Sequence, residues 1–149
     1  MREAIHALKY KRRRDVAPAL ARLLAAQLAS ENAPFELITS VPLHPARELE
    51  RGYNQAELLA EQTARVMRST YVRTLKRTRA TADQIGLSAV ERRANVHAAF
   101  VSTGNAVAGK NVVLIDDVCT TGATLDACAA ALFANHARAV YGLTVARAR

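Results

Sequence analysis

The stretch VVLIDDVCTTGAT, residues 112–124, decides how the rest of the chain is read. Four large apolar residues run straight into two adjacent carboxylates, Asp116 and Asp117, and then into hydroxyl residues and a glycine. A continuous apolar run without alternation suits a parallel strand covered on both faces. The alanine-rich ATLDACAAALFANH that follows reads as a helix. In such sheets the loop leaving the carboxyl end of a strand is the usual ligand site. Its backbone N–H groups and the start of the helix form a cradle for an anion. Thr120, Thr121 and Thr124 add hydroxyls, and Gly122 lets the backbone approach a ligand closely. The two aspartates repel a phosphate, so they must face another part of the ligand. Vicinal sugar hydroxyls suit them, with Mg2+ offsetting the charge. A phosphate on one side and a diol on the other describe a ribose 5-phosphate. The stretch is neither a Walker A loop nor a GxGxxG dinucleotide loop, and helix capping alone needs neither paired acids nor so many hydroxyls.

Working outward, AVYGLTVAR reads as a final strand and FELITSVP as an earlier one ending at Pro42. Residues 3–14 read as a short helix running into the basic KYKRRR. Asp15 is a candidate cap for a second helix, whose apolar stripe is Val16, Leu20, Leu23, Leu24 and Leu28. LHPARELERGYN reads as a polar, basic loop. Asn54 with Glu57 resembles a capping box opening a helix to about Met67, with Ala56, Leu59, Ala60, Thr63 and Met67 inward. YVRTLKR (71–77) is a candidate strand, and residues 78–95 read as a long loop of the kind that serves as a functional lid. Strands alternating with helices predict an α/β domain with a mostly parallel sheet flanked by helices.

The 149 residues suit one domain. The two cysteines, Cys119 and Cys128, form neither a disulfide framework nor a CxxC zinc site, which suits a reducing cytoplasm. The four histidines are scattered. No apolar run approaches the ~20 residues of a membrane span, and the N-terminal MREAIHALKYKRRR lacks a signal peptide's apolar stretch. A cytoplasmic protein without membrane insertion is expected. The net charge of +8 favours anionic partners: phosphorylated small molecules, nucleic acid or an acidic protein. Aromatics at 5% weaken any single-strand binding built on stacking platforms.

Residues 112–124 resemble the phosphoribosyl-pyrophosphate (PRPP) signature of type I phosphoribosyltransferases. VPLHPARELERGYNQAELLA, RTRATADQIGLSAVERRANVHAAF and the early LKY resemble the ComF/GntX family of bacterial competence-associated proteins, over about Ile5 to Arg147. The resemblance implies a type I phosphoribosyltransferase-like (Rossmann-like) core over residues 34–149, with residues 1–33 as an N-terminal helical hood segment. It implies Mg2+-dependent phosphoribosyl transfer from PRPP with release of pyrophosphate. Asp116 and Asp117 would hold the ribose hydroxyls and the Mg2+, and Val118, Cys119, Thr120, Thr121, Gly122, Ala123 and Thr124 the 5′-phosphate. Cys119 is read there as a packing residue. Arg47, Arg51, Gly52 and Asn54 are the pyrophosphate candidates, and Arg79, Gln84, Arg92 and Asn95 the motif-like positions of the flexible loop.

The family's usual N-terminal zinc ribbon has no counterpart in this sequence, so no zinc is expected in this chain. No aromatic follows Tyr141, and Tyr10 is the only one in the first thirty residues, so the acceptor is not legible. Two other readings stay open: a non-catalytic module sensing PRPP or a nucleotide, and a DNA-uptake accessory using KYKRRR. Beside PRPP or ribose 5-phosphate, the candidate partners are single-stranded DNA, competence proteins and a second copy of the chain.

Overall fold

A computed structural model of the chain describes residues 2–10, 13–78 and 99–147. The helices are α1 (Arg2–Tyr10), α2 (Ala17–Ser30), α3 (Pro45–Arg51), α4 (Gln55–Met67) and α5 (Ala123–Ala134). The strands are β1 (Leu37–Ser40), β2 (Leu75–Arg77), β3 (Phe100–Ser102), β4 (Asn111–Cys119) and β5 (Ala139–Arg147).

The apolar run of β4 is the middle of a parallel sheet in the order β1–β4–β5. Leu37 stands opposite Val112 and Ser40 opposite Ile115, while Asn111 stands opposite Ala139 and Asp116 opposite Thr144. Segment 70–74 runs along the outer side of β1, with Ile38 N donating to Thr70 O and Val72 N to Ile38 O. β2 and β3 form a separate antiparallel ribbon. Parallel neighbours need a crossover, and α5 supplies it between β4 and β5.

Successive side chains of a strand point to opposite faces. Val112 and Leu114 therefore join one core with Phe100, Val107, Cys128 and Leu132. Val113 and Ile115 join the other, with Leu8, Leu20, Leu24 and Leu59. Both faces are covered, by α5 and the β2–β3 ribbon on one side and by α1, α2 and α4 on the other. This is the α/β arrangement with a parallel sheet that the apolar run of β4 predicts.

Local differences have local causes. Residues 45–51, read as loop, are helical. Pro45 stands at the first position, the His44 ring accepts from Ala46 N at 3.2 Å, and Gly52 at φ +80 ends the helix. Asp15 caps nothing: its carboxylate is taken by Arg13 at 2.7 and 2.8 Å, inside the short 3-10 turn Arg14–Val16. Leu23 is 52% exposed, because α2 fills its buried face with Ala17, Ala21 and Ala25 instead. The first helix is described over Arg2–Tyr10, only Leu75–Arg77 of 71–77 is a strand, and Phe100–Ser102, beyond the stretch read as loop, is a strand as well. Asn54 does cap α4, accepting from Ala56 N at 3.0 Å. The other half of the box is replaced, since the hydrogen bonds of Glu57 run to Tyr71 and Arg73.

Candidate functional site

β4 delivers Asp116 and Asp117 to the carboxyl end of the sheet, and its alternation sends them to opposite faces. Asp116 lines a small recess of about 30 Å3 together with Val118, Cys119, Thr120, Gly122, Ala123, Thr124 and Leu125. Gly122, at φ +88, is the left-handed residue that turns the chain into α5. Thr121 Oγ1 accepts from Ala123 N at 3.3 Å, so one amide of the helix start is already occupied. Asp116 Oδ1 accepts from Asp117 N at 2.8 Å. Burial, and then the neighbouring Asp117 charge, push the Asp116 carboxyl from its ordinary 3.8 up to about 7.

Asp117 lies on the face covered by α1, α2 and α4, 3% exposed. Lys9 Nζ of α1 sits 3.0 Å from its Oδ2, an ion pair without hydrogen-bond alignment. The acid pair is therefore divided: one carboxylate opens to the recess and the other is matched by an internal cation. Cys128 lies buried on the same side as Asp116, and burial pushes its thiol well up, so it packs as a neutral group.

The neighbouring strand brings a second feature. Val41 N donates to Ile115 O at 2.9 Å, which sets the segment after β1 directly beside Asp116. A cleft of about 340 Å3 opens there, lined by Ser40, Pro42, Leu43, Pro45, Glu48, Asn54, Arg73, Leu75, Lys76 and Arg77. A polar chain crosses its wall. Ser40 Oγ and Tyr71 OH are 3.1 Å apart, Tyr71 OH donates to Glu57, and Arg73 binds Glu57 through both nitrogens and reaches Glu48 at 3.6 Å. Burial pushes the Tyr71 hydroxyl up to about 12, so it stays a donor at neutral pH. Burial lowers Arg77, whose guanidinium lies 5.4 Å from the centre of the Phe100 ring.

The candidates from the sequence are not all gathered here. Six of the positions 116–124 proposed for the ribose 5-phosphate line the recess with Asp116: Val118, Cys119, Thr120, Gly122, Ala123 and Thr124. Asn54 lines the cleft, but its amide is committed to the backbone, with Nδ2 donating to Val41 O at 3.0 Å. Arg47 is exposed and pairs with Glu50 at 3.5 Å, and Arg51 lies over the Tyr10 ring at 5.6 Å; neither lines the cleft. Gly52 closes α3 and its carbonyl accepts from Arg14. Arg79, Gln84, Arg92 and Asn95 lie outside the described residues. Lys9, Ser40, Arg73, Lys76 and Arg77, which the sequence reading does not single out, also stand at these features. The basic RTLKR at the end of segment 70–77 was the legible signal for three of them, since it closes at the same sheet edge as the strand-end loops.

Comparison with known proteins agrees with this fold. Residues 53–146 match the model of the phosphoribosyl transferase domain. The chain is 40% identical over 142 residues to the DNA utilization protein YhgH of Escherichia coli K12, covering 91% of this chain and 62% of that protein. It is 43% identical over 94 residues to competence protein F of Haemophilus influenzae, covering 61% of this chain and 41% of that one. The chain thus spans less than two thirds of the length of these relatives. Among solved structures, the glutamine PRPP amidotransferase of B. subtilis, complexed with ADP and GMP, superposes with a TM-score of 0.62 at 20% identity. It covers 89% of this chain and 26% of that one, a likeness of fold. The chain belongs to the phosphoribosyl transferase domain family, within its ComF-type branch of competence and DNA-utilization proteins.

Proposed function

We propose that the chain binds PRPP and transfers its phosphoribosyl group, with release of pyrophosphate, in the service of competence or DNA utilization. The observation that carries this reading is the Asp116 recess: an open carboxylate beside the glycine turn and the N-terminus of α5. In this reading the amides and hydroxyls of residues 118–124 take the 5′-phosphate, and Asp116 accepts from the ribose hydroxyls. The cleft beside it offers Arg73, Lys76 and Arg77 to the pyrophosphate end. As the bond from C1 to the pyrophosphate oxygen breaks, a bond from C1 to the acceptor's nucleophile forms. The chain's part is to hold the two ends in line and to stabilise the departing charge.

The donor set also fits Mg2+ of one kind. Among the described residues no group of three His, Cys, Asp or Glu is placed to cage a metal. Mg2+ instead uses one or two carboxylates and keeps its remaining ligands as phosphate oxygens and water. Asp116 supplies that one carboxylate. A bound Mg2+ would add charge neutralisation at the phosphates.

Calorimetric titration with PRPP, with and without Mg2+, tests the reading. Micromolar or tighter binding that depends on Mg2+ is expected, and absence of binding by the wild type would overturn it. Thr121→Val should weaken binding less than about fivefold, because the backbone donors of the loop remain. Loss of more than a hundredfold would mean that the hydroxyl, not the amides, holds the phosphate.

Direct nucleic-acid binding by this domain is expected to be weak. Of the basic run, Lys11 and Arg12 lie outside the described residues, Arg13 is paired with Asp15, and Arg14 lies 4.4 Å over the Tyr53 ring. A bound single-stranded oligonucleotide should dissociate as salt rises from about 50 to about 200 mM. Retention at high salt in a filter-binding assay would favour the DNA-uptake role.

A further inference from the structure

Two adjacent carboxylates at a buried strand end repel each other, and only Asp116 lines the recess. The Asp117 side chain is 4% exposed and meets Lys9, itself 23% exposed, at 3.0 Å. Lys9 is delivered there by a helix turn that is held on both sides. Leu8 is fully buried in the core that contains Val113 and Ile115, and its carbonyl accepts from Tyr53 OH. The Tyr10 ring lies against the Arg51 guanidinium. Residues 51 and 53 belong to the segment that leaves β1 and carries the cleft. One turn of α1 therefore touches both halves of the site.

We propose that Lys9 is a positioning residue for this site. By holding Asp117 on the α1 side of the sheet and cancelling its charge, it leaves Asp116 as the one carboxylate offered to the sugar hydroxyls. This role rests on the PRPP reading of the recess. Lys9 Nζ is off the hydrogen-bond line to Oδ2, so the attraction is between charges, which another cation of similar reach supplies. Without that cation Asp117 becomes an uncompensated buried charge beside Asp116. The strand end then relaxes, and Asp116 no longer meets the ligand in one fixed geometry.

A double-mutant cycle on the full chain, read by calorimetric PRPP titration at fixed Mg2+, tests this. Lys9→Met is expected to weaken PRPP affinity by about tenfold or more, and Lys9→Arg by less than about threefold. In the Asp117→Asn background, removing Lys9 leaves no buried charge unmatched, so that double variant is expected to fold. There Lys9→Met should change affinity by less than about threefold. Equal losses in both backgrounds, or a loss that arginine does not restore, would overturn the role of Lys9 while leaving the site reading intact. Failure of the wild type to bind PRPP would instead overturn the site reading, and the role of Lys9 with it.

Discussion

Asp116→Asn is expected to make the protein more stable at pH 8 and poorer at binding PRPP. Burial and the Asp117 charge raise the Asp116 carboxyl to about 7 in the folded chain, against an ordinary 3.8. Between those values the folded state holds a proton that the unfolded chain has released. Its contribution to stability is complete below about pH 4 and is lost as pH rises through about 7. The loss at higher pH is on the order of 4 kcal/mol. Asparagine has the same shape, stays neutral, and keeps an oxygen for Asp117 N. Without ligand or Mg2+, the variant should therefore melt about 12 °C above the wild type at pH 8, and close to it at pH 4. The same change removes a charge-assisted hydrogen bond to the sugar, worth roughly 1.5–3 kcal/mol, or about 10- to 100-fold in affinity. A lower melting temperature at pH 8 would show that the carboxylate is already satisfied within the fold. Unchanged PRPP affinity would remove Asp116 from the site.

That opposition between stability and binding was partly legible in the chain. The apolar run, the acid pair and the glycine turn of residues 112–124 are local signals, and local physics forms them: a covered strand, a strand end, a left-handed residue opening a helix. Alternation along β4 also implies that adjacent acids face apart. What hid this is that the partner of Asp117 comes from α1, and no pattern along the sequence links Lys9 to a strand near the other end of the chain. The basic residues show the same limit. Arg47 and Arg51 are pyrophosphate candidates in a stretch that reads as loop, and the sequence does not show what they meet within the fold. Once Pro45, the His44 cap and Gly52 wind them into α3, Arg47 meets Glu50 and Arg51 meets Tyr10. Arg73, Lys76 and Arg77 reach the cleft because segment 70–74 follows the edge of β1 and leads straight into β2, a pairing that sequence spacing alone does not reveal.

Asn54 separates a brace from a ligand contact, and its replacement should act first on folding. Its side chain is used twice. Oδ1 accepts from Ala56 N at 3.0 Å to cap α4, and Nδ2 donates to Val41 O at 3.0 Å. The residue is 6% exposed, so water does not replace either bond. Asn54→Ala removes a cap worth about 1 kcal/mol and leaves a buried carbonyl unsatisfied at about 1–3 kcal/mol. The expected cost is roughly 2–4 kcal/mol, or about 6–12 °C in melting temperature for a chain of this size. Asn54→Asp keeps the cap and gains from the helix dipole, yet it sets a carboxylate against the Val41 carbonyl. It should recover only the cap's share in urea denaturation. Val41 N is bonded to Ile115 O, so loosening Val41 also loosens the segment beside Asp116, and PRPP affinity should fall as a secondary effect. If Asn54→Ala instead left the denaturation curve unchanged while PRPP affinity collapsed, the amide would be a direct pyrophosphate contact. The bond to Val41 would then be one that the ligand displaces.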